Sequence, residues 1–238
     1  MSRIRLAAVV TTAALAVLAT ACTTGSPHSA ASGTHAAALP APTATSNTAL
    51  ARAGLVVPRT YQQACAIESA VCLSSASGTI PAALHRPLHF PALRPGQHCP
   101  ATPGHTVNTG QFGGIGLGTG PVRVLIANPG HLRQGTADLF RHTSAPPWLA
   151  LKTLWYSMPA YQGPFVIRAK RLNGPGPVAM GEGPVIAPLV VPPGPTLNSG
   201  DGYRQAPGGL WVRAAGCYAW QVDGLTFSEI IVVHAVLR

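Results

Sequence analysis

The stretch CYAWQVDGLTFSEIIVVHAV (217–236) decides the fold. Asp223-Gly224 separates two apolar alternating runs, and Asp-Gly in that setting is a strong hairpin signal because both residues tolerate positive φ. Phe227 and Ile231 share one face of the second run, while Ile230 and Val232 fill the other. That pattern requires either a bulge near Glu229 or a strand covered on both sides.

Working upstream, VRVLIA (122–127), LALKTLWY (149–156), FVIRAKRL (165–172), VIAPLVV (185–191) and GLWV (209–212) read as further strands between Gly/Pro breaks. In 165–172, Phe165, Ile167 and Ala169 alternate with Val166, Arg168, Lys170 and Leu172, predicting one buried and one largely wet face. Pro188 makes 185–191 an edge or bulged strand. The run GQFGGIGLGTG (110–120) lacks the βαβ frame of a phosphate-binding loop and reads as a mobile turn. No window from Cys99 onward carries a convincing helical period. The prediction is an all-β, antiparallel β-sandwich over residues 97–238.

Residues 61–96 read as a disulfide-stapled, Pro-rich extension. Tyr61–Leu73 is a short helix or turn, and Pro81, Pro87, Pro91 and Pro95 impose an extended path packed along the domain. Residues 22–60 are Ala/Thr/Pro-rich and hold almost no large apolar side chain before residue 55, as expected of a disordered stalk. His28 and His35 in that tether are read as solvated. Residues 1–21 place Arg3 and Arg5 before an uncharged run (6–21) that is short for a membrane span, as in an export signal.

Cys22 follows Thr20 and Ala21. The arrangement resembles a bacterial lipoprotein signal, although Ala19 stands where Leu is usual. The resemblance implies cleavage before Cys22 and a thioether-linked diacylglycerol on it, a lipid anchor at the extracytoplasmic face of the cell membrane. Several acyl chains hold a protein stably at a bilayer.

Four cysteines remain: Cys65, Cys72, Cys99 and Cys217. An even count in an exported chain points to disulfides, with three pairings open. The seven-residue spacing favours Cys65 with Cys72, leaving Cys99 with Cys217.

The formal charge is +10, and loss of Arg3 and Arg5 with the signal lowers it to +8. A basic exported protein is drawn to anionic lipids and wall polymers, so the expected partners are membrane lipid through Cys22 and anionic envelope polymers or another envelope protein. The basic residues are dispersed, with no basic run or basic amphipathic helix, so no nucleic-acid partner is expected.

Catalytic signals are sparse. The acids are Glu68, Asp138, Glu182, Asp201, Asp223 and Glu229, and there is no G-x-S-x-G elbow. An envelope hydrolase would need a cleft bringing Glu182 or Asp201 to a histidine. His85, His89, His98 and His105 surround Cys99, but Pro87 keeps His85 and His89 off a shared helical face. No metal or other cofactor is expected, because Cys99 is better used in a disulfide. A glycan-binding module would need a row of exposed aromatics. Trp220, close to Cys217, is expected beside an inter-sheet disulfide, and Trp211 and Tyr203 are expected nearest solvent.

Cys99-Pro100-Ala101-Thr102, the pattern Gly163-Pro164 through Ile167 to Arg171-Leu172-x-Gly174-Pro175, Gly216-Cys217-Tyr218 and the strand from Phe227 to Val236 carry a further resemblance. Over about residues 97–238 the chain is similar to uncharacterised secreted or lipid-anchored proteins of actinobacteria and related soil bacteria. Tyr218 replaces the Trp usual there, and the Gly/Pro run 174–200 replaces a shorter loop. The resemblance implies an immunoglobulin-like β domain and export, and no reaction. The expectation is a noncatalytic binding or structural protein of the envelope, with a carbohydrate- or wall-binding module or an envelope hydrolase as the alternative. If no metal supports the fold, the thermal midpoint is unchanged after refolding with excess chelator; a fall of several degrees marks a structural ion.

Overall fold

The computed structural model describes residues 57–73, 76–126 and 134–237. Cys22, His28, His35 and the signal segment lie outside the described residues. The hairpin is formed by β10 (Gly216–Gly224) and β11 (Ser228–Leu237), paired antiparallel from Gly216↔Ala235 to Asp223↔Ser228. Asp223 is therefore not in the turn. The chain reverses two residues later, at Leu225-Thr226, with Gly224 N–H donating to the Phe227 carbonyl.

The turn moves because the Asp223 carboxylate is captured. It is fully buried, ion-paired with Arg168, 3.8 Å from Arg86 and bonded by the Gln221 amide at 3.1–3.2 Å. A buried charge needs such partners, since a lone one is very costly. Arg86 also donates to the Gly224, Leu225 and Phe227 carbonyls. The turn is thus shaped from outside, by the Pro-rich segment.

The remaining strands are β1 (His105–Asn108), β2 (Gly113–Leu117), β3 (Val122–Ile126), β4 (Thr136–Arg141), β5 (Leu149–Ser157), β6 (Phe165–Arg171), β7 (Ala179–Gly181), β8 (Leu189–Val191) and β9 (Arg204–Val212). Hydrogen bonding runs β1-β2-β3-β5-β4-β11-β10-β6-β8, with β9 also on β5 and β7 on β9. Every pair is antiparallel except β4 with β11. The fold is an all-β sandwich of the immunoglobulin-like kind, two layers packed face to face. Trp155 of β5 meets Trp220 of β10 edge to face at 5.4 Å, and both are fully buried. Val124, Leu151, Ile167, Val222, Ile231 and Val233 join them in one core.

Several expectations shift. The glycine run contains β2 rather than only a turn. Only Leu189–Val191 of 185–191 is a strand, beginning after Pro188. Residues 209–212 are the end of the longer β9, which tolerates Pro207 because β7 pairs only with residues 209–211. Strand β11 is covered on both faces. Ile231, Val233 and Ala235 enter the main core, whereas Ile230 and Val232 pack with Phe90, Leu93 and Leu172.

That second cover is the extension. Helix α1 (Tyr61–Ile67) starts with a capping box between Thr60 and Gln63 and packs Tyr61 and Ala64 on Val166 and Val190, so the face of β6 expected to be wet is partly covered. The Pro-rich segment then crosses the outer face of β10, where His89 N–H donates to Gln221 and Gln221 donates to the Pro87 carbonyl.

Cys65–Cys72 and Cys99–Cys217 are both bonded. Cys217 lies on the outer face of β10 with Ala219 and Val232, while Trp220 lies on the inner face. Alternation along a strand separates them. The long disulfide therefore fastens the segment before β1 to the outside of one layer and does not bridge the layers beside a Trp. Thr102 adds two bonds there, its N–H to the Val232 carbonyl and its hydroxyl accepting from Val232 N–H. The Cys-Pro-x-Thr motif is a fastening.

Arg204 is buried without a carboxylate partner among the described residues. It donates to the Gly163 and Pro192 carbonyls and lies over the Phe165 ring. Burial lowers its pKa to about 10.

Asp223→Ala leaves Arg168 without its counter-charge and should cost about 3–5 kcal/mol in urea unfolding at pH 7. Opening Cys99–Cys217, which closes a loop of 118 residues, should cost about 4–5 kcal/mol in the chain-entropy account; Cys99→Ala/Cys217→Ala measures it.

Candidate functional site

The outer face of β5 organises the candidate site. Leu149, Leu151 and Trp155 point into the core, so Ala150, Lys152, Leu154 and Tyr156 face outward. Their neighbours form rows across the layer. Phe140 lies opposite Ala150 on β4, and Trp211 opposite it on β9. Lys152 faces Gly209, which faces Gly181. Leu154 is flanked by Leu125 and Pro207, and Tyr156 by Arg123 and Gln205.

Among the described residues the Lys152 row has no side chain beyond the lysine, which leaves a trough. A depression of about 380 Å³ is lined by Phe140, His142, Lys152, Glu182, Trp211 and the glycines. A second, of about 410 Å³, continues past Lys152 and Pro207 along Leu154, Leu125 and Phe112. From Ala150 to Tyr156 this surface runs about 20 Å along the strand.

The glycines are fixed by packing. Trp211 donates its indole N–H to the Gly181 carbonyl at 3.0 Å, and a Cβ on Gly209 would lie 3.1 Å from that nitrogen. Gly181 has φ +99°, and a Cβ there would strike the Glu68 carboxylate. Glu68 accepts from the Glu182 and Ala70 N–H groups, and burial raises its pKa. The helical extension thus sets one wall of the trough.

Trp211 is buried, not near solvent, because its ring lies down against Trp148, Ala150 and Ala179. Tyr203 is partly exposed. Phe140 is the one Phe, Tyr or Trp classed as exposed among the described residues, so the row of exposed aromatics is not formed. His142 stacks edge-on to Trp211 at 4.9 Å, and its Nδ1 is 2.9 Å from Ser144 Oγ. Glu182 and His142 therefore line one depression, a juxtaposition the sequence could only pose as a condition. Asp201 occupies a separate exposed turn at 200–203. Histidines 85, 89, 98 and 105 are not gathered; no cluster of three or more His, Cys, Asp or Glu suited to a metal occurs among the described residues.

Beyond Phe112 the same face ends in a smaller cavity of about 170 Å³, lined by residues including His105, Asn108, Arg123, Tyr156, Met158 and Tyr203. Burial lowers the His105 pKa; Arg123 pushes it further down and Glu229 opposes. Burial raises the Tyr156 phenol, against the pull of Arg123. Nothing in the sequence marked this group, because its members come from β1, β3 and β5.

No protein-family model matches the chain, and no curated protein matches it. A histidine with a depressed folded pKa binds its proton more readily when the chain is unfolded, so stability is lost as pH falls below about 6.5. The denaturation midpoint of the wild type should fall more steeply between pH 7 and 5 than that of His105→Gln.

Proposed function

We propose that this is a lipid-anchored envelope protein whose sandwich binds a partner without transforming it. The trough on the outer face of β5 carries that reading. It is open, floored by glycine backbone, walled by Phe140 and Leu154, and offers, among the described residues, one exposed cation in Lys152. Apolar walls with a few polar groups suit an extended ligand lying along the strand. An anionic wall polymer fits the lysine and the basic surface. Two disulfides support an oxidising compartment, and the Arg3-to-Cys22 signal supports the anchor. The resemblance to secreted and lipid-anchored actinobacterial proteins accords with it.

A second reading, an envelope hydrolase, draws on Glu182 and His142 in one depression. A general base must reach the attacking water directly or through one water, and the Ser144 contact of His142 spans only two residues in one turn. The binding reading needs no such alignment.

Two measurements test the proposal. Cys22→Ser should move the protein from the membrane fraction to the medium, and mass spectrometry of the wild type should find a diacylglyceryl-modified Cys22 at the amino terminus. Retention of the purified protein on wall polymer from its own envelope should weaken about tenfold in Phe140→Ala/Lys152→Ala, with no release of reducing ends or amines. Product release abolished by Glu182→Gln would replace this reading with the hydrolase.

A further inference from the structure

The small cavity at the end of the trough holds two polar groups whose hydrogen-bonding capacity the fold does not exhaust. Tyr156 is 1% exposed, its oxygen faces the Arg123 guanidinium and its O–H is left to donate, and His105 Nε2 has no hydrogen-bond partner of ordinary geometry among the described residues. Both atoms lie 3.4 Å from the point where a Cβ on Gly116 would stand, with the Val107 Cγ2 methyl 2.7 Å from it, so they flank that glycine together with Val107. They come from different strands, β5 and β1, and both residues line the same cavity. A buried polar group left without a partner costs about 1–3 kcal/mol, so two converging on one cavity mark a place for a ligand atom.

The charged side chain Arg123 lines the same cavity. Arg123 acts on both His105 and Tyr156, whereas Glu229 acts on His105 and more weakly than Arg123. The Glu229 carboxylate is also spent on the Thr119 and Gly120 N–H groups at 2.6 and 2.9 Å. Arg123 is held in place by its own bonds to the Gly120 and Thr119 carbonyls. A phenol O–H, an imidazole N–H and a fixed guanidinium are all donors toward one small volume.

We propose that this cavity binds a carboxylate, with Tyr156 and His105 donating to its oxygens and Arg123 supplying the counter-charge. A volume of about 170 Å³ admits the carboxylate and little of what bears it, so the rest of the ligand projects to solvent or along the β5 face. The inference does not rest on the polymer reading of the trough, since it uses none of the residues named for that reading.

The test uses the intact chain in detergent, labelled at histidine, with sodium acetate as probe and acetamide as its uncharged counterpart. Acetate should shift the His105 ring resonances saturably and raise the midpoint of His105 titration, because a bound anion favours the imidazolium. Tyr156→Phe and Arg123→Gln should each weaken apparent acetate binding about tenfold, while the other histidine resonances report that the fold is kept. Should Tyr156→Phe fail to fold, Arg123→Gln decides alone. Unmoved His105 resonances at 100-fold molar excess and above, equal shifts from acetamide, or acetate binding indifferent to the variants would overturn the proposal. Such a failure leaves the wall-polymer retention experiment untouched, and the converse holds.

Discussion

The burial of Asp223 is the constraint on which the rest of this structure depends. A fully shielded carboxylate must be met by charge, and the two guanidiniums that meet it come from distant places: Arg168 from the neighbouring β6 and Arg86 from the Pro-rich segment. Satisfying one side chain therefore fixes the β6–β10 pairing, seats the segment across β10 and draws the hairpin tip into contact with Arg86. Gln221 completes the arrangement by spanning Asp223 and the Pro87 carbonyl. Replacing one member strands the others, which is why such groups cost more to break than to form.

With that face covered, the two layers have different outer surfaces. The β10–β11 side is occupied by helix α1, the Pro-rich segment and the Cys99–Cys217 bond. The β5 side is left with a trough and a polar cavity. The extension carries depressions of its own, along residues 92–97 and around Ile80, so what distinguishes the β5 side is its exposed strand surface. The extension is also linked to the β5 face, because Glu68 reaches over to hold the Glu182 N–H at the trough's wall.

Much of the fold was legible in the residues, and the exceptions have physical reasons. The Pro146-Pro147 boundary located β5 and alternation in 165–172 located β6, and an even cysteine count with its spacing gave both disulfides. Asp223-Gly224 announced the hairpin but misplaced its turn, since local φ preference is worth less than a buried ion pair formed with residues 55 and 137 positions away. Strand β2 was hidden because glycine carries no side chain to alternate. Trp211 looked solvent-bound beside a Gly/Pro loop, yet a hydrogen bond to Gly181 lays it flat. The site was the least legible part. Tyr156, His105 and Arg123 each look ordinary in the chain, and only strand pairing sets them around Gly116.

Strand β11 has one more consequence, for the order of events in the cell. It pairs with β10 on one side and, in parallel, with β4 on the other, so it is the seam that joins the layers. Those partners are in place only once residues near 237 are available, about a hundred positions after β4 begins. Until then the ribosome holds a polypeptide whose halves cannot close. Closure of the two layers is therefore an event that follows synthesis of the last strand and does not proceed strand by strand along the chain.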